Sequence, residues 1–69
     1  MDYNPLAFFM LLLNTTYIHY KNKKSYITIN FCKIQENDTW VDAIIYKPID
    51  CEELFVRTCE EFEEKFTQR

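Results

Sequence analysis

Thr39-Trp40-Val41-Asp42-Ala43-Ile44-Ile45-Tyr46-Lys47 reads as a strand, and every other segment reads as something that pairs with it, turns away from it or covers it. On a ribbon of period two, Val41, Ala43 and Ile45 share one face while Trp40, Asp42, Ile44 and Tyr46 share the other. Both faces carry large apolar groups. A strand with one face in water would alternate cleanly between apolar and polar, so the pattern calls for cover on both sides, in a tight barrel or a sheet with helices.

Working outward, Ser25-Tyr26-Ile27-Thr28-Ile29-Asn30-Phe31-Cys32-Lys33-Ile34-Gln35 is a second long strand, expected over 25–35. Its parity changes after Cys32, where Ile34 is apolar and its neighbours are not, so a bulge is expected near Cys32 or Lys33. Thr16 to Lys21 is a β-branched and aromatic stretch that predicts a strand over 16–21, closed by the polar run Lys21-Asn22-Lys23-Lys24. Pro48 ends the 39–47 strand, and Leu54-Phe55-Val56-Arg57 makes a short fourth strand, 54–57. The chain has no glycine, so asparagine and aspartate must supply the turn positions that need positive φ; the candidates are Asn22, Asn37-Asp38 and Asp50.

Two helices are expected at the ends. Thr58-Cys59-Glu60-Glu61 matches a capping box and starts a helix over 59–67, with Cys59, Phe62 and Phe66 on the inner face and the glutamates outside. At the N-terminus, Asn4 and Pro5 suit a helix start, and Leu6 to Leu13 predicts a helix over 5–13 that is apolar all round. The run is far shorter than the roughly 20 residues a membrane span needs, and Asp2 before it does not suit a secretory signal. One side of such a helix can rest on the sheet; the other is either wrapped by a curling sheet or left for another protein or a second copy, and the expectation is a dimer with Phe8, Leu11 and Leu12 as contacts. The expectation is therefore a single α+β domain over 1–69, a four-stranded antiparallel meander or small barrel with a short N-terminal helix and an amphipathic C-terminal one.

The order Tyr17-Ile18-His19-Tyr20-Lys21, Ile44-Ile45-Tyr46-Lys47, Leu54-Phe55-Val56-Arg57 and Phe62 resembles a family of small bacterial domains of unknown function. Its members read roughly Y-x-H-[YF]-K-G, V-V-Y-[RK] and L-W-V-R-P, ending in M-F or similar. The resemblance covers about Tyr17 to Phe66 and implies an SH3-like β-barrel with a terminal helix. Asn22 stands where the family has glycine, Thr58 where it has proline and Phe55 where it has tryptophan, and the family carries no settled activity to transfer.

Chemistry is narrowed by what the residues fail to assemble. With 69 residues, 48% of them hydrophobic and 17% aromatic, the chain should fold, although a domain this small gains from association. A net charge of −3, with Glu60 to Glu64 dense in acid, argues against general nucleic-acid binding and suits a basic partner. Cys32, Cys51 and Cys59 form no CxxC pair and read as reduced thiols of a cytoplasmic protein; no metal and no cofactor is expected. His19, Cys32 and Asp42 could be imagined as base, nucleophile and orienter, but no local signature supports an enzyme. Without glycine there is no Gly-rich phosphate loop.

The remaining candidate is an aromatic face of Tyr26, Asn30, Trp40, Asp42, Tyr46 and Arg57. It reads either as a pocket for a planar ligand or an inserted side chain, or as a second small core under a helix, with Asp42 and Arg57 as an ion pair. The expected function is a non-enzymatic protein-binding module, of the kind a phage or mobile element encodes to inhibit a host protein. The alternative is sequestration of a nucleotide-like small ligand.

Overall fold

The structure, a computed structural model, describes residues 11–69. Its backbone is a single five-stranded antiparallel sheet with one short helix. The elements are β1 (Thr16–His19), β2 (Ser25–Glu36), β3 (Thr39–Pro48), β4 (Phe55–Thr58), α1 (Cys59–Lys65) and β5 (Phe66–Gln68). The strand order is β4-β3-β2-β1-β5. The expected α+β class is therefore corrected to a mainly β fold with five strands rather than four.

The long β2–β3 hairpin is the spine. It reverses at Asn37 and Asp38, whose φ values of 50° and 65° are both left-handed, as a two-residue type I′ turn requires. At the other end of β2, Lys23 takes φ 62°, while Asn22 uses its side chain, Oδ1 accepting from the Lys24 amide at 2.8 Å. Asn22 was expected to take positive φ, and its acceptor oxygen serves the turn from one residue earlier. Asp50 is not among the positive-φ residues, whereas Asn14 is, at 53°.

The bulge in β2 lies between Thr28 and Asn30, ahead of the Cys32–Lys33 position expected. The displacement has a reason in the core. Thr28 pairs with Tyr46 and is fully buried, Ile29 is the extra residue, and Phe31 then pairs with Ile44. The bulge thus puts Phe31 on the face of Thr28 and turns Asn30 to the other side, which a regular alternation from Tyr26 would not do.

The first described residues do not continue the helix expected over 5–13. Leu11 to Leu13 are non-helical, held by Tyr17 and Thr28: the Leu12 amide donates to the Tyr17 hydroxyl at 3.0 Å and Thr28 Oγ1 donates to the Leu12 carbonyl at 2.6 Å. Residues 5–10 of that expectation, Phe8 among them, lie outside the described residues. Leu11 is buried in the core and Leu12 is 52% exposed. The two leucines expected to share a dimer contact thus face opposite environments.

The core gathers Leu11, Tyr17, Ile44, Tyr46, Cys59, Phe62 and Phe66, so the sheet curls round the helix that crosses one of its faces. At the start of α1, Thr58 Oγ1 accepts from the Glu61 amide at 3.1 Å. The reciprocal half of the capping box is replaced: the Glu61 carboxylate meets Arg57 at 3.3 Å. The helix stops at Lys65, two residues before the expected 67. Phe66 is extended at φ −124° and starts β5, pairing with His19 of β1 while its ring stacks on Phe62 at 4.0 Å. Tertiary pairing with an open sheet edge outweighs the weak helix preference of Phe-Thr-Gln.

Candidate functional site

The register divides the predicted aromatic face into three parts. Tyr46 is buried at 4% exposure, with its ring against those of Tyr26, Phe62 and Phe66 at centroid distances of 5.1–5.6 Å. Arg57 Nε donates to the Tyr46 hydroxyl at 2.8 Å, and its guanidinium lies 5.7 Å from the Phe66 centroid. Burial raises the Tyr46 pKa despite that donor. Tyr26, Tyr46 and Arg57 are thus packing residues beneath the helix. Asn30 sits on the opposite face, Oδ1 accepting from the Phe31 amide at 2.8 Å. Trp40 and Asp42 remain.

These two line a groove of about 610 Å³ between the β2–β3 hairpin and helix α1. Trp40 is 62% exposed, an unusual position for the largest apolar side chain of a small domain. The same groove is lined by the acidic residues Glu36, Asp42, Glu60, Glu61 and Glu64, with Lys33 as its one cationic lining residue. Lys33 is committed to Asp42 at 3.0 Å, and Glu61 to Arg57. The expected Asp42–Arg57 ion pair is therefore corrected: each has another partner, because Lys33 lies directly opposite Asp42 across the β2–β3 ladder. Asp42 Oδ2 is buried without a hydrogen-bond donor among the described residues. A buried carboxylate oxygen without a donor is costly.

The sequence reading missed Glu36, Glu64 and Lys33 as residues of the Trp40 groove. The signal was present in parity: Lys33 falls on the Asp42 face once the bulge is placed at Ile29, and Glu60, Glu61 and Glu64 recur at helical spacing on the side that turns to the hairpin.

His19, Cys32 and Asp42 do not converge. Cys32 pairs with Ala43 and Asp42 with Lys33, so their side chains leave opposite faces, and His19 is in β1, next to β5 at the far edge. Its Nδ1 accepts from the Lys21 amide at 3.1 Å, closing the β1–β2 turn, and its pKa is lowered by burial and then by Arg57, Lys65 and Lys21. Cys59 is fully buried, and burial, reinforced by Asp42, pushes its thiol up to about 11. Among the described residues no group of His, Cys, Asp and Glu is placed to hold a metal, and no helix is long and apolar enough to cross a membrane. Compared with protein-family models, with curated proteins and with solved structures, the chain gives no significant match.

Proposed function

We propose that the chain is a small non-enzymatic protein-binding module whose groove holds a basic segment of its partner. The observation that carries this reading is an exposed Trp40 indole in a groove that five acidic residues also line, Glu36, Glu60 and Glu64 among them. An indole face attracts Lys and Arg side chains by about 0.5–2 kcal/mol, and carboxylates in the same groove add charge attraction and steering. The same acid disfavours a phosphate, so a nucleotide-like ligand is the weaker reading.

Trp40 is the only tryptophan, so its emission reports the groove directly. Titration with a short arginine-rich peptide is expected to shift that emission with an affinity that falls as salt rises, and a glutamate-rich peptide or a nucleoside triphosphate is expected to do nothing. Trp40→Ala, followed by calorimetry because the reporter is lost, is expected to weaken binding about fivefold or more, as is Glu64→Lys. No response to the basic peptide at millimolar concentration and low salt overturns the reading. A response from the nucleotide alone replaces it with the small-ligand one.

A further inference from the structure

The sheet has an open edge that nothing in the groove explains. β4 is bonded to β3 on one side and, among the described residues, has no strand on the other. Of its four residues Phe55 and Val56 are exposed apolar side chains, and Leu54, just before the strand, is a third. An edge strand normally avoids association through shortness, a charged residue, a proline or a covering loop, and β4 has only four residues, with Arg57 as its charge. The run Leu54-Phe55-Val56 itself has neither charge nor proline, and alternation puts Phe55 on the Tyr46 face and Leu54 and Val56 on the other.

From this edge we infer that the protein forms a twofold dimer by antiparallel pairing of β4 with β4 of a second copy. The charges select both the occupant and the register. Centring the twofold on Arg57 opposes two like charges, and centring it on Val56 leaves Glu53 facing no cation. Centring it on Phe55, with the strand extended back over Leu54 and Glu53 and the Glu53 amide released from Cys51 Sγ, sets Glu53 opposite Arg57 of the partner subunit, twice by symmetry, with Leu54 opposite Val56 of the partner subunit and the two Phe55 rings adjacent. Opposite-charge and aromatic cross-strand pairs are the stabilising ones in a ladder. Glu53 is exposed, and the Arg57 guanidinium has donors beyond those given to Tyr46 and Glu61. The two sheets then join into one, and the edge closes on itself rather than propagating. So short a strand buries less than a standard interface, and the dimer is accordingly a weak one.

The test is sedimentation of the full chain and three variants across a concentration series, with circular dichroism on each. Wild type is expected to dimerise. Val56→Lys, which places a charge on the rim at an exposed site, is expected to stay folded and monomeric. Glu53→Lys, at an exposed position before the strand and so safe for folding if Val56→Lys is not, turns the attractive pair repulsive and is expected to weaken the dimer at least about tenfold. Leu12→Glu, exposed but away from β4, is expected to dimerise as wild type does. A wild type that remains monomeric at about 1 mM overturns the proposal. So does a dimer that persists unchanged in folded Glu53→Lys, or one that Leu12→Glu alone abolishes, since either places the contact on another surface.

Discussion

Arg57 Nε donates to the Tyr46 hydroxyl over 2.8 Å, linking the edge strand to the middle of the aromatic core. The Tyr46 ring is also wedged among Tyr26, Phe62 and Phe66. The two contributions separate by substitution. Tyr46→Phe keeps the ring and removes the acceptor, for a loss of about 1 kcal/mol; Tyr46→Ala removes the ring as well and should cost about 3–5 kcal/mol. Urea denaturation of the two variants checks the difference, and equal losses would assign the role to the hydroxyl alone.

Trp40 should behave in the opposite way. Its exposure of 62% leaves little packing to lose, so Trp40→Ala is expected to change stability by less than about 1 kcal/mol. The sequence could not separate Trp40 from Tyr46, because both occupy the same parity of β3; their exposures, 62% and 4%, separate them. A thermal melt of Trp40→Ala that falls as far as that of Tyr46→Ala would show that the indole packs on the fold in solution.

The Lys33–Asp42 pair predicts an asymmetry between its members. Lys33 is well exposed and Asp42 is largely buried, with one oxygen lacking a donor. Lys33→Met leaves the whole carboxylate unpaired and should cost about 1–2 kcal/mol, the screened end of the range for breaking such a pair. Asp42→Asn removes the desolvated charge and should cost less. Denaturant midpoints for the two variants check the order, and a larger loss from Asp42→Asn would mean that the orphan oxygen has a donor in solution.

The features legible in the sequence were those set by local chemistry. Asn37-Asp38 announced a tight reversal because, in a chain without glycine, few other residues tolerate positive φ. Thr58 announced a helix start, and its hydroxyl accepts there. What could not be read was set by contacts between distant segments. The bulge sits at Ile29 because Thr28 is needed in the core against Tyr46, and β5 exists because β1 offers a free edge to Phe66–Gln68. In the site, Trp40 and Asp42 were legible as a pair on one face. Their acidic surroundings come from α1 folding back over the hairpin: helical spacing puts Glu60, Glu61 and Glu64 together, but only the tertiary fold sets them opposite Trp40.

Cys59 gives the fold an alkaline limit. Its thiol is raised from an ordinary 9.0 to about 11 by burial and by Asp42, so the folded chain holds this proton more tightly than the unfolded chain does. The resulting contribution to stability is complete below about pH 9 and is lost as pH rises through 11. At neutral pH the buried thiol should resist alkylation while the partly exposed Cys32 and Cys51 react. Mass spectrometry of iodoacetamide-treated protein checks this; three fast modifications in native buffer would contradict it, and three in denaturant are expected.

The hairpin tip offers a gain of stability rather than a loss. Asn37 and Asp38 both hold left-handed backbone, at φ 50° and 65°. Asparagine accepts that region readily, but an aspartate side chain does so at a cost of about 1 kcal/mol relative to glycine, and the pair most favoured at a type I′ turn is Asn-Gly. Both tip residues are exposed, so no packing opposes the change. Glycine also has more unfolded conformations to give up, which takes back part of the benefit. The net expectation for Asp38→Gly is a stabilisation of about 0.5 kcal/mol, whereas Asp38→Val, β-branched where φ is positive, should destabilise by more than 1 kcal/mol on the order-of-magnitude scale for backbone strain. Because β2 and β3 form the longest ladder in the sheet, the strain at their junction should show in unfolding kinetics too. The measurement is equilibrium urea unfolding of wild type and both variants; if glycine and valine shift the midpoint alike, the tip is not held in the left-handed region in solution.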